Sequence, residues 1–188
     1  GDGYRPTWST MDFWTDGIIG TVDDVPSTAR NSAGENFQAA KTEAKAAIVL
    51  WNKDMKLAKY ALESAEKDWE FATEELGDNI SSAPLAAIAL NASLTLFEAT
   101  GKEKYKNAAI SYGEYIMQSQ RQEDLTSDIP LKGFFYRSAD KENILHYSHR
   151  GHEQDLIIGL VRLSQSFPDH SQMSEWENAI RLYADYYK

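Results

Sequence analysis

Two kinds of helix alternate along this chain, and that alternation restricts the fold more than any other feature of its sequence. The segments 82–100 and 156–163 are apolar on nearly every side, which is typical of helices that neighbours cover on several faces. The segments that follow them carry one apolar stripe and one charged face. Repeated pairs of a buried and an amphipathic helix indicate consecutive helical hairpins.

Capping and turn residues divide residues 32–188 into six predicted helices. Ser32 and Glu35 have the spacing of a capping box, and Gly77 and Gly101 are typical helix terminators. Residues 1–31 are rich in Gly, Pro, Asp and Thr and are predicted to form a loop-rich segment. The aromatic run 133–137 predicts a short strand.

The predicted fold is all-α, with three hairpins that form half of an (α/α)6 barrel, also called an α/α toroid. A four-helix bundle would instead show one similar apolar stripe on every helix. A helical solenoid is a weaker alternative, because these hairpins differ in length and solenoids need a regular repeat.

Composition excludes several classes of partner and site. The chain has 188 residues and a formal net charge of −10, which argues against nucleic acid as a partner. No run approaches the roughly 18 apolar residues that span a bilayer, so we expect no membrane partner. There is no cysteine, hence no disulfide and no Cys-based zinc site. The first residues lack the apolar core of a signal peptide, so an exported protein would carry its signal upstream.

Several motifs resemble glycoside hydrolase family 9. Its first hairpin is similar to NFQAA (36–40), AKAAIVLW (44–51), AKYAL (58–62) and AEKDWEFA (65–72). The next hairpin is similar to AAIAL (86–90) and FEATGKEKY (97–105). Upstream, WTDGIIGTVDD (14–24) resembles the loop that precedes the first hairpin. The resemblance covers about residues 12–120.

This resemblance implies a six-hairpin toroid that hydrolyses a β-linked glycan with inversion, using one carboxylic acid and one carboxylate. The family's Asp-Ala-Gly-Asp motif is absent, and its general acid belongs to a hairpin that would follow Lys188. We therefore expect a fragment of a secreted or periplasmic enzyme that is inactive in isolation. The partner is a carbohydrate, no cofactor is expected, and the open toroid edge could drive self-association.

Four acidic residues are the candidates for catalysis, because the loops that enter the buried helices should meet at one end of a toroid. They are Asp16, Asp23, Asp24 and Glu153. The three aspartates are also compatible with a weak calcium site or with ordinary turn chemistry. Glu153 is also explained by the dipole at the start of a helix. The many acids of residues 63–75, including Glu66, are expected to form a solvated helix face.

Aromatic rings, histidines and one arginine in the same loops are the candidates for sugar binding, as stacking faces and hydrogen-bond donors. They are Trp14, Tyr136, His146, Tyr147, His149, Arg150 and His152. A metal site is a weaker interpretation, because zinc usually takes two ligands from one helix face. Helix capping is the third alternative. Two other functions stay open: a non-catalytic binding module, and a polysaccharide lyase or epimerase that uses His and Tyr.

Overall fold

The computed structural model describes residues 31–77, 80–124, 131–145 and 152–187. The chain divides after Asn31 into two units, and all the described helices belong to the second unit, Ser32–Lys188. The described ranges contain six helices and no extended strand. The predicted all-α character and the number of helices are therefore confirmed.

The six described helices begin and end close to the predicted positions, and the predicted capping residues flank three of them. Their bounds are α1 Ala33–Leu50, α2 Met55–Leu76, α3 Ala83–Thr100, α4 Glu103–Gln118, α5 His152–Ser166 and α6 Met173–Tyr186. The Ser32 hydroxyl accepts a hydrogen bond from the Glu35 backbone N–H (3.4 Å) and donates one to the Glu35 carboxylate (3.0 Å). Gly77 and Gly101 follow α2 and α3 with φ angles of 58° and 68°, which favour glycine.

Each even-numbered helix packs against the helix that precedes it, so α1–α2, α3–α4 and α5–α6 are hairpins. The odd-numbered helices also contact one another: α1 packs on α3, and α3 packs on α5. Helices α2 and α3, and likewise α4 and α5, contact each other less extensively. Helix α3 therefore lies between α1 and α5.

Alanines allow α1 and α2 to pack closely. They recur every seven residues on both helices and are almost fully buried, at Ala33, Ala40 and Ala47 on α1 and at Ala58, Ala65 and Ala72 on α2. A seven-residue repeat keeps one stripe facing the partner helix. Because the methyl groups are small, two helix backbones with such stripes can approach each other closely.

The centre of the core is Leu90 on α3, which is fully buried. Gly113 on α4 and Gly159 on α5 face it, since a Cβ atom placed on Gly159 would lie 3.2 Å from Leu90 Cδ2. A Cβ atom on Gly113 would lie only 2.6 Å from Leu163 Cδ2. Both glycines therefore leave room for the leucines where α3, α4 and α5 meet.

Helix α3 is long and apolar enough to cross a membrane by length and composition, with a mean hydropathy of 1.2 over its 18 residues. Of these residues, 61 % are buried inside the structure. The core helix of a soluble protein passes the same test, so this feature alone is weak evidence for a membrane span. Helix α5 is less enclosed than predicted, because Ile158 is 48 % exposed.

The prediction of a strand over 133–137 is wrong. Only two isolated antiparallel bridges occur there, Gln120 with Phe135 and Tyr136 with Ile144. Backbone hydrogen bonds still hold the segment to residues 119–121, from the Arg121 N–H to the Phe134 carbonyl oxygen (2.9 Å) and from the Tyr136 N–H to the Ser119 carbonyl oxygen (2.8 Å). The buried Gln120 side chain adds to them, because its Nε2 atom donates to the carbonyl oxygens of Gly133 and Ala179, both at 2.9 Å. The segment 131–145 is thereby attached to α4 and α6 without forming a sheet.

The expectation that Glu66 lies on a solvated face is also wrong. Its carboxylate accepts hydrogen bonds from Lys102 and, at 2.8 Å, from the Tyr105 hydroxyl, which joins α2 to the start of α4. Burial by itself would raise the pKa of Glu66, but the hydrogen bonds and the nearby lysine charges lower it. The sequence pattern could not show this, because the partners are more than thirty residues away.

A second acid of the first hairpin has the opposite shift. Glu43 on α1 is close to Asp68 on α2. The pKa of the Glu43 carboxyl is raised, mainly because the group is buried and also because of the Asp68 charge. The Glu43 Oε2 atom is buried without a hydrogen-bond partner in the part of the chain that the structure describes. The folded state thus binds this proton more tightly than the unfolded chain does, so stability falls as pH rises from about 4.5 through the raised pKa.

We expect Glu43→Gln to raise the free energy of unfolding at neutral pH by about 0.5 kcal/mol, since the amide carries no charge to desolvate or to repel Asp68. The gain should disappear at acidic pH, where Glu43 is protonated in both states. Urea unfolding at the two pH values measures it. Glu75→Gln, at an exposed position of α2, should change little at either pH. A gain that persists in acid would contradict the assignment.

Candidate functional site

Most residues predicted from the sequence for the site lie outside the described ranges. These are Trp14, Asp16, Asp23, Asp24, His146, Tyr147, His149 and Arg150. His152 and Glu153 form the first turn of α5, but their side chains are not described. These residues remain predictions.

Tyr136 is the predicted site residue whose side chain the structure describes. It is 9 % exposed, and its ring lies 5.3 Å from the ring of Phe134. Its backbone N–H donates to the Ser119 carbonyl oxygen at 2.8 Å. The ring thus belongs largely to the packed interior of the segment 131–145 and leaves little free face for a sugar.

The starts of α1 and α3 and the described part of the segment before α5 lie at one end of the helices. The Ala83 N–H at the start of α3 donates to the Arg137 carbonyl oxygen (2.7 Å), so the segment before α5 reaches the first turn of α3. At the start of α1, a Cβ atom on Gly34 would lie 3.6 Å from Leu85 Cδ1 of α3. The starts of α1 and α3 are therefore neighbours.

A groove of about 760 Å³ lies between α1, α3 and α5, and sequence reasoning did not identify it. Its volume falls in the range of small-molecule sites. It is lined by Lys41, Thr42, Lys45, Ala46, Val49 and Leu50 of α1, Thr95 of α3 and Arg162 of α5. Lys41, Lys45 and Val49 are four residues apart, so they share one face of α1.

Arg162 is the central polar group of this groove. Its Nη1 atom donates to Asn91 Oδ1 at 2.7 Å and to the Asn91 carbonyl oxygen at 3.4 Å, and Nη2 donates to Thr95 Oγ1 at 3.2 Å. Asn91 and Thr95 lie one turn apart on α3, and the Asn91 amide also donates to the Ala87 carbonyl oxygen (2.8 Å). These bonds fix the orientation of the guanidinium between α3 and α5.

The guanidinium of Arg162 is a partly buried positive charge in this groove. Burial lowers the pKa of the Arg162 guanidinium, and the charge of Glu98 acts in the opposite direction. Glu98 itself pairs with Lys45 at 3.3 Å. In the part of the chain that the structure describes, no carboxylate lies within ion-pair distance of Arg162.

One signal in the sequence could have pointed to the groove. Helix α3 is almost entirely apolar, yet it carries Asn91, Ser93 and Thr95 near its middle, and all three are buried. Buried polar side chains need partners, so such a cluster predicts polar contacts with another helix. Ser93 does accept a hydrogen bond from Trp69 Nε1 (2.9 Å), while Asn91 and Thr95 bind Arg162.

No metal centre is formed by the described residues, since no three His, Asp or Glu side chains among them are close enough to hold an ion. Comparison of the chain with protein-family models, with curated proteins and with solved structures found no match.

Proposed function

We propose that this chain forms part of an α/α toroid that binds and hydrolyses a glycan. The observation that carries the proposal is the order of packing. The odd-numbered helices contact one another, and each even-numbered helix packs on the odd-numbered helix that precedes it. In a toroid the first kind of helix surrounds the central cavity and the second kind forms the outer ring.

The position of the groove supports this proposal. The described residues that line it come from α1, α3 and α5 and none from α2, α4 or α6. In a toroid this side of the odd-numbered helices would face the central cavity. Aliphatic side chains and a few fixed hydrogen-bond donors line the groove together. Such a mixture suits the apolar ring faces and the hydroxyl groups of a sugar.

In the proposed reaction the chemistry comes from two carboxyl groups. Asp16, Asp23, Asp24 and Glu153 are the candidates for the acid that protonates the leaving oxygen and for the carboxylate that activates water. A polymeric substrate of this kind implies a secreted or periplasmic protein.

Titration of the purified chain with neutral β-linked hexasaccharides, followed by NMR, tests the binding part of this proposal. We expect saturable binding, which Tyr147→Ala weakens about tenfold through loss of a stacking face. Tyr60→Ala is the matched control, because that tyrosine is 67 % exposed on the outer helix α2. Absence of binding to every glycan tested, or an equal effect of the two variants, would overturn the proposal.

The products distinguish hydrolysis from a second candidate, elimination by a polysaccharide lyase. The positive charge around Arg162 favours this candidate, since lyases act on sugars that carry a carboxylate. Elimination leaves an unsaturated sugar with strong ultraviolet absorbance, whereas hydrolysis leaves a new reducing end. Because we expect this chain to be inactive in isolation, products are measured with the whole toroid that contains it; binding without either product there would indicate a non-catalytic binding module.

A further inference from the structure

The groove between α1, α3 and α5 concentrates positive charge on a chain that is otherwise acidic. Among the described residues that line it, Lys41, Lys45 and Arg162 are cationic and none is acidic. The chain as a whole has a net charge of −10. A local cluster of one sign in a cleft raises the local concentration of ligands of the opposite sign.

Among the described residues, no carboxylate forms an ion pair with Arg162, and Glu98 acts on it only from a distance. Its three hydrogen bonds go to the neutral oxygens of Asn91 and Thr95, which leaves its Nε–H and one Nη2–H without an acceptor in the described part of the chain. A half-buried cation that is bonded only to neutral groups is less stable than one that faces an anion. A carboxylate in the groove would supply the missing charge and accept the free N–H groups.

We propose that this groove binds the carboxylate groups of an acidic oligosaccharide, so that the substrate class is a uronate-containing glycan. The inference rests on the proposed function, which makes a glycan the ligand. It adds that this glycan carries negatively charged groups. Val49, Ala46 and Leu50 provide aliphatic surface for the ring, while Arg162 and Lys41 face the acid group. Lys45 contributes less, because its charge is shared with Glu98.

Binding is measured by isothermal titration at low ionic strength with mannuronate, galacturonate and glucuronate trisaccharides, each beside its neutral counterpart. We expect at least one uronate to bind about tenfold more tightly than its neutral counterpart, because charge-assisted hydrogen bonds are the stronger ones. Added sodium chloride should reduce that preference.

Variants locate the site. Lys41→Gln and Arg162→Gln should each weaken uronate binding, the second by about tenfold, and weaken binding of the neutral trisaccharide much less. Glu98→Gln should tighten uronate binding, a result that a merely structural role for these residues would not produce. Lys67→Gln is the matched control, because Lys67 pairs with Glu63 on the outer helix α2. Circular dichroism checks that each variant folds. If Arg162→Gln does not fold, the Lys41 and Glu98 variants decide whether the groove binds the uronate.

Each failure has a distinct meaning. Equal affinity for acidic and neutral trisaccharides overturns the uronate assignment and leaves the proposed function standing. If neither kind binds, the proposed function fails as well. If the Lys41 and Glu98 variants keep the full preference for uronate, the carboxylate of the sugar binds outside this groove. That result overturns the assignment of the site. Displacement of the uronate by inorganic sulfate at the same concentration shows a simple anion site and overturns the sugar class.

Discussion

Leu90→Ala should lower the free energy of unfolding by about 3 kcal/mol. Leu90 is fully buried where α3 meets the glycine positions of α4 and α5, so the lost side chain leaves a cavity between three helices. The backbones around such a site are already closely packed and have little room to collapse into it. Urea unfolding followed by circular dichroism measures the change.

The matched control is Leu57→Ala, which removes the same atoms from a side chain on α2 that is 48 % exposed. We expect that variant to lose less than about 1 kcal/mol. Similar losses in the two variants would show that α3 is not the centre of the core.

Gly133→Ala should destabilise the protein by at least about 2 kcal/mol, for two physical reasons. Gly133 has a φ of 93°, which L side chains rarely adopt. In addition, a Cβ atom there would lie 2.0 Å from the carbonyl oxygen of Leu182 on α6, and backbone cannot move aside as a flexible side chain can. Thermal unfolding of the variant measures the loss.

Gly34→Ala is the control for this substitution. Gly34 lies in the first turn of α1, and its Cβ atom would make only an ordinary contact at 3.6 Å, with Leu85 Cδ1. Alanine favours a helix more than glycine does, so we expect a neutral or slightly stabilising effect. If Gly133→Ala behaves in the same way, the segment 131–145 does not pack on α6 as described.

The helix termini were predictable because their signals are local. Ser32 and Glu35, like Ser82 before α3, act within one turn of the helix that they start, and Gly77 and Gly101 act within the turn that they end. The segment 133–137 was not predictable in this way. Its aromatic residues have strand propensity, but the segment pairs with its neighbours at only two isolated bridges, and the buried Gln120 side chain binds the Gly133 carbonyl oxygen.

The groove, like the segment 133–137, was not predictable from local sequence signals. Lys41 and Lys45 belong to the first hairpin and Arg162 to the third, and no spacing rule connects residues more than one hundred positions apart. The polar residues Asn91 and Thr95 were a usable signal that α3 needs a polar partner, but they do not identify Arg162 as that partner. The site residues predicted in the two loops, Asp16 to Asp24 and His146 to Glu153, remain predictions.

The sequence by itself determined the all-α character, the six helices and the difference between apolar and amphipathic helices. Each of these follows from hydrogen bonds within a helix and from the periodicity of its side chains. Only the tertiary structure decided that α3 lies between α1 and α5, that Glu66 joins two hairpins, and that Arg162 enters a groove with two lysines. These features depend on which helix faces meet, and packing between residues far apart in the chain selects them.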